Sequence, residues 1–133
     1  MLLERGFPPS ALEIARHFGR GEHEVKHAIA ELKIGKTVLP HPVTREVWMA
    51  GPFAADKTAY QVAGKAVTWY ANCAWDMLGI PMIANEWVTI STQCRDCAEP
   101  LRISADPETP PSDDLVVHFL VPARQWYDDI GFT

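Results

Sequence analysis

Asn72-Cys73-Ala74-Trp75-Asp76-Met77-Leu78-Gly79-Ile80-Pro81 is the stretch on which the reading of this chain turns. Residues from Trp69 to Leu78 are mostly apolar and helix-compatible, and Gly79-Ile80-Pro81 is a terminator, so a helix over Trp69 to Leu78 is expected. On such a helix Cys73 and Asp76 stand three residues apart and share a face, which brings a thiol and a carboxylate within reach of each other. Spacing alone does not make the pair functional. A helical cysteine is more often a small buried hydrophobe, and an aspartate near a helix end is often simply solvated.

Working outward, Trp87-Val88-Thr89-Ile90-Ser91 is the clearest strand by β-branched content. Leu101-Arg102-Ile103-Ser104 mirrors it across a turn that holds Cys94 and Cys97, so a knuckle-like hairpin is expected. Upstream, Tyr60-Gln61-Val62 and Ala66-Val67-Thr68 flank Ala63-Gly64-Lys65 as a second hairpin. Downstream, a proline-rich loop from Asp106 to Ser112 precedes an expected strand over Leu115 to Val121, and Pro122 to Ile130 reads as a short helix or turn. The first third reads as helix, turn, helix and hairpin. Ser10 and Glu13 form a capping box; Leu12, Ile14, Ala15 and Phe18 give the first helix an apolar side, and Val25, Ile29 and Leu32 give the second its line. Thr37-Val38-Leu39 and Glu46-Val47-Trp48-Met49 follow as two strands. The fold class is therefore α+β: a winged-helix-like lobe over residues 1–53, divided at Gly51-Pro52 from a core of short antiparallel strands and helices over 54–133.

Composition bounds the function. The 133 residues are 47% hydrophobic and 22% charged, and no stretch approaches the roughly 18 apolar residues of a membrane span. The start lacks the basic and apolar regions of a secretory signal, so a cytoplasmic home is the default expectation. Three cysteines, Cys73, Cys94 and Cys97, cannot all pair, which suits a reducing compartment. Seven Lys/Arg meet six Asp/Glu from Met1 to Phe53, and five meet eleven from Ala54 to Thr133. Neither half is a strongly basic surface for nucleic acid.

Cys73-Ala74-Trp75-Asp76-Met77-Leu78-Gly79-Ile80-Pro81, the strand Val88-Thr89-Ile90-Ser91-Thr92-Gln93-Cys94 and Pro100-Leu101-Arg102-Ile103-Ser104 together resemble the central segment of organomercurial (alkylmercury) lyases. The resemblance is strong from about Trp69 to Ser104 and looser elsewhere, and the order of parts agrees, since that family places a winged-helix-like lobe first. It implies protonolytic cleavage of carbon–mercury bonds. Cys73 would be the thiolate ligand and Asp76 the proton carrier; Trp75 joins Cys73 as the expected contact for the organic group. Thiolate is a soft ligand suited to a soft metal, and only its deprotonated form binds. No redox cofactor or resident catalytic metal is implied, mercury entering as part of a small organometal substrate or its product. The family's second catalytic cysteine would fall just after Thr133, so the resemblance also raises the expectation of a shortened form, incompetent in catalysis.

Other candidates carry alternatives. Cys94 matches a family cysteine regarded as structural, whereas Cys97 is an addition that makes Cys94-Arg95-Asp96-Cys97 a C-x-x-C turn. An unmetallated turn is the favoured reading; zinc, with His118 or a symmetry mate completing the set, is the second, since one pair supplies only two of four ligands. His23 and His27 have metal-compatible spacing, with solvent-facing residues preferred. Lys26, Lys33 and Lys36 could make the second helix a DNA-reading one, but Glu22, Glu24 and Glu31 oppose phosphate binding. The alternative functions are a non-catalytic thiol-based metal or organometal binder and a winged-helix regulator. An unpaired apolar edge at Leu115 to Val121 would favour a homodimer.

Overall fold

A computed structural model of the chain describes residues 1–109, 111 and 114–131, and within these it forms four α-helices, seven strands and one 3-10 turn. The short α1 (Leu2–Arg5) ends at Gly6, whose φ of +87° favours glycine. A Cβ there would also run into the Thr68 carbonyl. Helix α2 (Ala11–Phe18) starts with the expected capping box: the Glu13 N–H donates to Ser10 Oγ at 3.2 Å and the Ser10 N–H to Glu13 Oε2 at 2.8 Å. Arg5 then clamps the Glu13 carboxylate at 2.7 and 3.0 Å. Helix α3 (Glu22–Leu32) buries Val25 and Ile29 against Ala11 and Ala15 of α2. Leu12, Phe18 and Leu32, expected on the apolar faces, are exposed instead. The contact between α2 and α3 is built around the small alanines, which leaves those larger side chains outside it.

Strands β1 (Val38–Pro40), β2 (Val47–Ala50) and β3 (Phe53–Ala54) form a three-stranded antiparallel sheet in that order. The sheet continues across Gly51-Pro52, and Phe53 also bridges to Ala71, so backbone pairing ties the first third of the chain to the rest. Within the first third, Glu46 ties the hairpin to both helices, accepting the Ala11 N–H at 2.6 Å and pairing with Lys26 at 3.4 Å.

The second sheet is four-stranded and antiparallel, in the order β5-β4-β6-β7, from β4 (Gln61–Ala63), β5 (Thr68–Tyr70), β6 (Val88–Gln93) and β7 (Pro100–Ala105). Both expected hairpins are present. Alternation along β6 buries Val88 and Ile90. With Val62, Trp69, Met77 and Ile80 they make the main core.

Two expectations need correction. The helix does not run from Trp69 to Leu78: Thr68, Trp69 and Tyr70 are extended and pair with β4, and α4 spans Ala74–Ala84. The β-branched and aromatic trio is better satisfied as a half-buried strand. Pro81 lies inside α4, where its surroundings are apolar, and Asn85 ends the helix at φ +53° with its N–H on the Pro81 carbonyl. The strand expected over Leu115 to Val121 is also not formed; the stretch is irregular, with Leu115, Val116 and Leu120 exposed. Among the described residues no helix is long and apolar enough to cross a membrane.

Candidate functional site

Cys73 is the residue just before α4, in extended conformation (φ −148°, ψ 178°), and acts as its cap. Its Sγ accepts the Asp76 N–H at 3.5 Å while its carbonyl accepts the Met77 N–H at 3.1 Å. A cap side chain folds over the third helical residue, so the thiol sits against Asp76. Sequence spacing and structure thus bring the two together, although by capping and not by a shared helical face.

Opposing effects set the protonation of the pair. Burial is the largest influence on Cys73 and pushes its thiol up; the N–H groups of Asp76 and Trp75 oppose this, and the Asp76 charge adds to it. Burial likewise raises Asp76 above the usual carboxylate range, against hydrogen bonds from the Cys73 thiol and the Asn72 side chain. The result is a thiol that keeps its proton and a carboxyl group with increased proton affinity beside it.

Both face a cavity of about 160 Å³. Its walls come from distant segments: Thr37, Leu39 and Met49 from the first third, Trp75 at the start of α4, and Phe119 and Trp126 from the C-terminal segment. That segment is held by the Trp126 Nε1–H donating to the Val121 carbonyl at 3.0 Å, by Phe119 and Trp126 rings 4.8 Å apart, and by Lys36 Nζ, 4.0 Å from the Tyr127 ring centre. Cys73 also borders a second cavity, of about 360 Å³, with Tyr60, Ala74, Arg95 and His118 on its walls. Trp75 is 63% exposed, so it forms a rim and not a floor.

The sequence alone assigns Asn72 no role. Its side chain hydrogen-bonds Asp76, while its buried Oδ1 has no partner and the residue lines the smaller cavity. Such an atom costs free energy unless something in the cavity satisfies it. A buried polar atom beside a Cys/Asp pair has no signature in a single sequence.

The remaining candidates lie elsewhere. Cys94 and Cys97 sit at the tip of the β6–β7 hairpin, Cys94 half-buried and Cys97 exposed, both as free thiols. Backbone N–H groups of Cys97 and Asp96, together with the Cys97 thiol, lower the Cys94 thiol. Among the described residues no three His, Cys, Asp or Glu side chains converge on a point that could hold a metal ion. His27 meets Glu31 at 3.5 Å, and Lys26 is paired with Glu22 at 2.8 Å.

Cys73 and Asp76 form a half-buried pair at a helix start, on a largely apolar cavity over mixed helices and antiparallel sheets. Residues 53–132, more than half of the chain, match the family model of alkylmercury lyase (MerB). The chain belongs to the alkylmercury lyase family. A crystal structure of the mercury-bound form of MerB2 is similar in fold, with a TM-score of 0.65 and 16% identity, over 85% of this chain and 55% of that one. This chain thus spans little more than half the length of that relative. No curated protein matches the chain in sequence.

Proposed function

We propose that this chain carries out alkylmercury lyase chemistry, protonolysis of a carbon–mercury bond, with Cys73 as the sulfur ligand and Asp76 as the proton carrier. The observation that carries the reading is the Cys73 thiol and the Asp76 carboxyl group side by side on one apolar cavity. Asp76 accepts the thiol proton as Cys73 sulfur bonds to mercury, a transfer between groups in contact. A small free thiol supplies the second sulfur. Asp76 then delivers a proton to the carbon, the carbon–mercury bond breaks, hydrocarbon leaves, and Hg(II) remains bound to two sulfurs. The balance needs no oxidant: one organomercurial and two thiols give one hydrocarbon, one mercury dithiolate and the acid of the original counter-ion.

The size of the cavity supports a one-ring or short-chain organic group, since a cavity of about 150 Å³ accommodates benzene. Trp75 at the rim and Phe119 and Trp126 within supply the apolar contact. In this reading the helix–helix–hairpin part, winged-helix-like in order, serves as a wall of the site through Thr37, Leu39 and Met49, and is not a nucleic-acid reader. Carboxylates already occupy Lys26 on α3.

The test is release of benzene from a phenylmercury salt in excess small thiol. Release is expected from the parent chain, with loss of at least about 100-fold in both Cys73→Ser and Asp76→Asn, the size typical of an acid–base group. A parent chain that binds the compound stoichiometrically through Cys73 and releases nothing would instead favour the thiol-based binder.

A further inference from the structure

We infer that the Cys94–Cys97 turn is a two-thiol site for a soft, two-coordinate cation and that it receives Hg(II) from the cavity beside Cys73. The identity of the ion rests on the function proposed above; the site itself rests on the geometry of the hairpin tip.

Strands β6 and β7 pair over six residues, from Val88↔Ala105 to Gln93↔Pro100, which delivers the turn on a fixed base. The turn is closed by the Cys94 N–H on the Glu99 carbonyl at 2.8 Å and the Ala98 N–H on the Cys94 carbonyl at 3.0 Å, with Ala98 at φ +59°. Two thiols at C-x-x-C spacing are therefore presented together, one of them exposed, and no disulfide joins them. Among the described residues no third His, Cys, Asp or Glu side chain completes a metal-holding group with them. Zinc in a closed site needs four ligands. A d¹⁰ cation that prefers two thiolates in a line needs two, and Hg(II) with two thiolates carries no net charge that the surface would have to neutralise.

One residue of the turn reaches a cavity that Cys73 borders. Arg95, between the two cysteines, is a wall of the larger cavity that Cys73 borders, and its guanidinium lies 5.6 Å from the Tyr60 ring centre on the same wall. Transfer is a thiol exchange: Cys94 and Cys97 give up two protons and form two sulfur–mercury bonds. Cys73 and the small thiol lose their bonds to mercury and take a proton each. Nothing is oxidised or reduced, and Cys73 is returned to its starting state.

The experiment uses the full chain with Cys73→Ser, titrated with HgCl2 against excess glutathione, following bound metal by native mass spectrometry and free thiols by counting. One Hg(II) per chain is expected, with both remaining thiols consumed. Cys97→Ser in that background, which changes an exposed side chain, should weaken retention by roughly 100-fold or more as the chelate is lost. Cys94→Ser should do the same. Loss of Hg(II) from the Cys73→Ser chain as readily as from the single-thiol variants would overturn the inference, as would equal retention of Zn(II) offered alone. Benzene release by the chain with Cys73 intact reports on the proposed function separately.

Discussion

At Cys73 burial and the α4 N–H groups act on the same proton in opposite directions, and burial prevails. Since a thiol reacts only as thiolate, Cys73 should be alkylated slowly at neutral pH, with a midpoint above that of an ordinary thiol. Asp76→Asn removes the negative charge that adds to the rise, so the midpoint should move down and alkylation should speed up by up to about 10-fold, one pKa unit being a factor of ten in thiolate. The same substitution is expected to abolish benzene release. Faster alkylation with lost turnover separates a proton carrier from a residue that merely activates the thiol. Peptide mapping after iodoacetamide, with exposed Cys97 as the internal comparison, measures it; an unchanged midpoint in Asp76→Asn would remove the coupling. Asn72→Ala withdraws a hydrogen bond that lowers Asp76, so any pH profile that reports Asp76 should shift to higher pH.

Among the elements, α2 tests how far local sequence signals carry. Its capping box was legible because Ser10 and Glu13 interact within four residues of chain. Ser10→Ala should cost about 1 kcal/mol, read as a fall of a few degrees in a thermal melt. The Arg5 guanidinium and the Ser10 N–H hold Glu13 down at about 2 from an ordinary 4.5. A carboxylate depressed by folding contributes above its unfolded value and loses that contribution as pH falls towards the folded one. The Ser10 hydroxyl also donates to the Glu13 carboxylate, at 3.0 Å, so the part of the difference between parent and Ser10→Ala that comes from this bond should be full at neutral pH and shrink between about 4.5 and about 2; a constant difference would mean that this bond contributes nothing to the cap. Other elements were less legible. Thr68-Trp69-Tyr70 is short and apolar, a pattern that helix and strand share, and only pairing with β4 decides it. Leu115 to Val121 has strand propensity without a partner strand, and propensity does not make a ladder. Cys73 and Asp76 were legible as neighbours because three-residue spacing serves a cap as well as a helical face. Thr37 and Phe119 reach the site through tertiary packing that no local pattern encodes.

Across the whole molecule, the site exists because three distant segments meet: the first sheet, the start of α4 and the residues around Phe119 to Ile130. Among the described residues the last of these has no strand or long helix; its contacts include a 3-10 turn at Ala123–Gln125, the Asp128 N–H on the Gln125 carbonyl, the Trp126 indole on the Val121 carbonyl, the Trp126 ring against Phe119, and Lys36 over Tyr127. Trp126 is a wall of both cavities that Cys73 borders. Segments with few backbone bonds open at low free-energy cost, and side chains set how often they do. Trp126→Ala should therefore loosen this segment while the two sheets stay intact: tryptic cleavage after Arg124 is expected to accelerate several-fold with the far-ultraviolet circular dichroism unchanged. Benzene release should fall in the same variant through KM, because apolar walls bind the organic group but take no part in moving the proton. A fall confined to kcat would place Trp126 at the reacting atoms, and an unchanged cleavage rate would mean that the segment is held by contacts other than the indole.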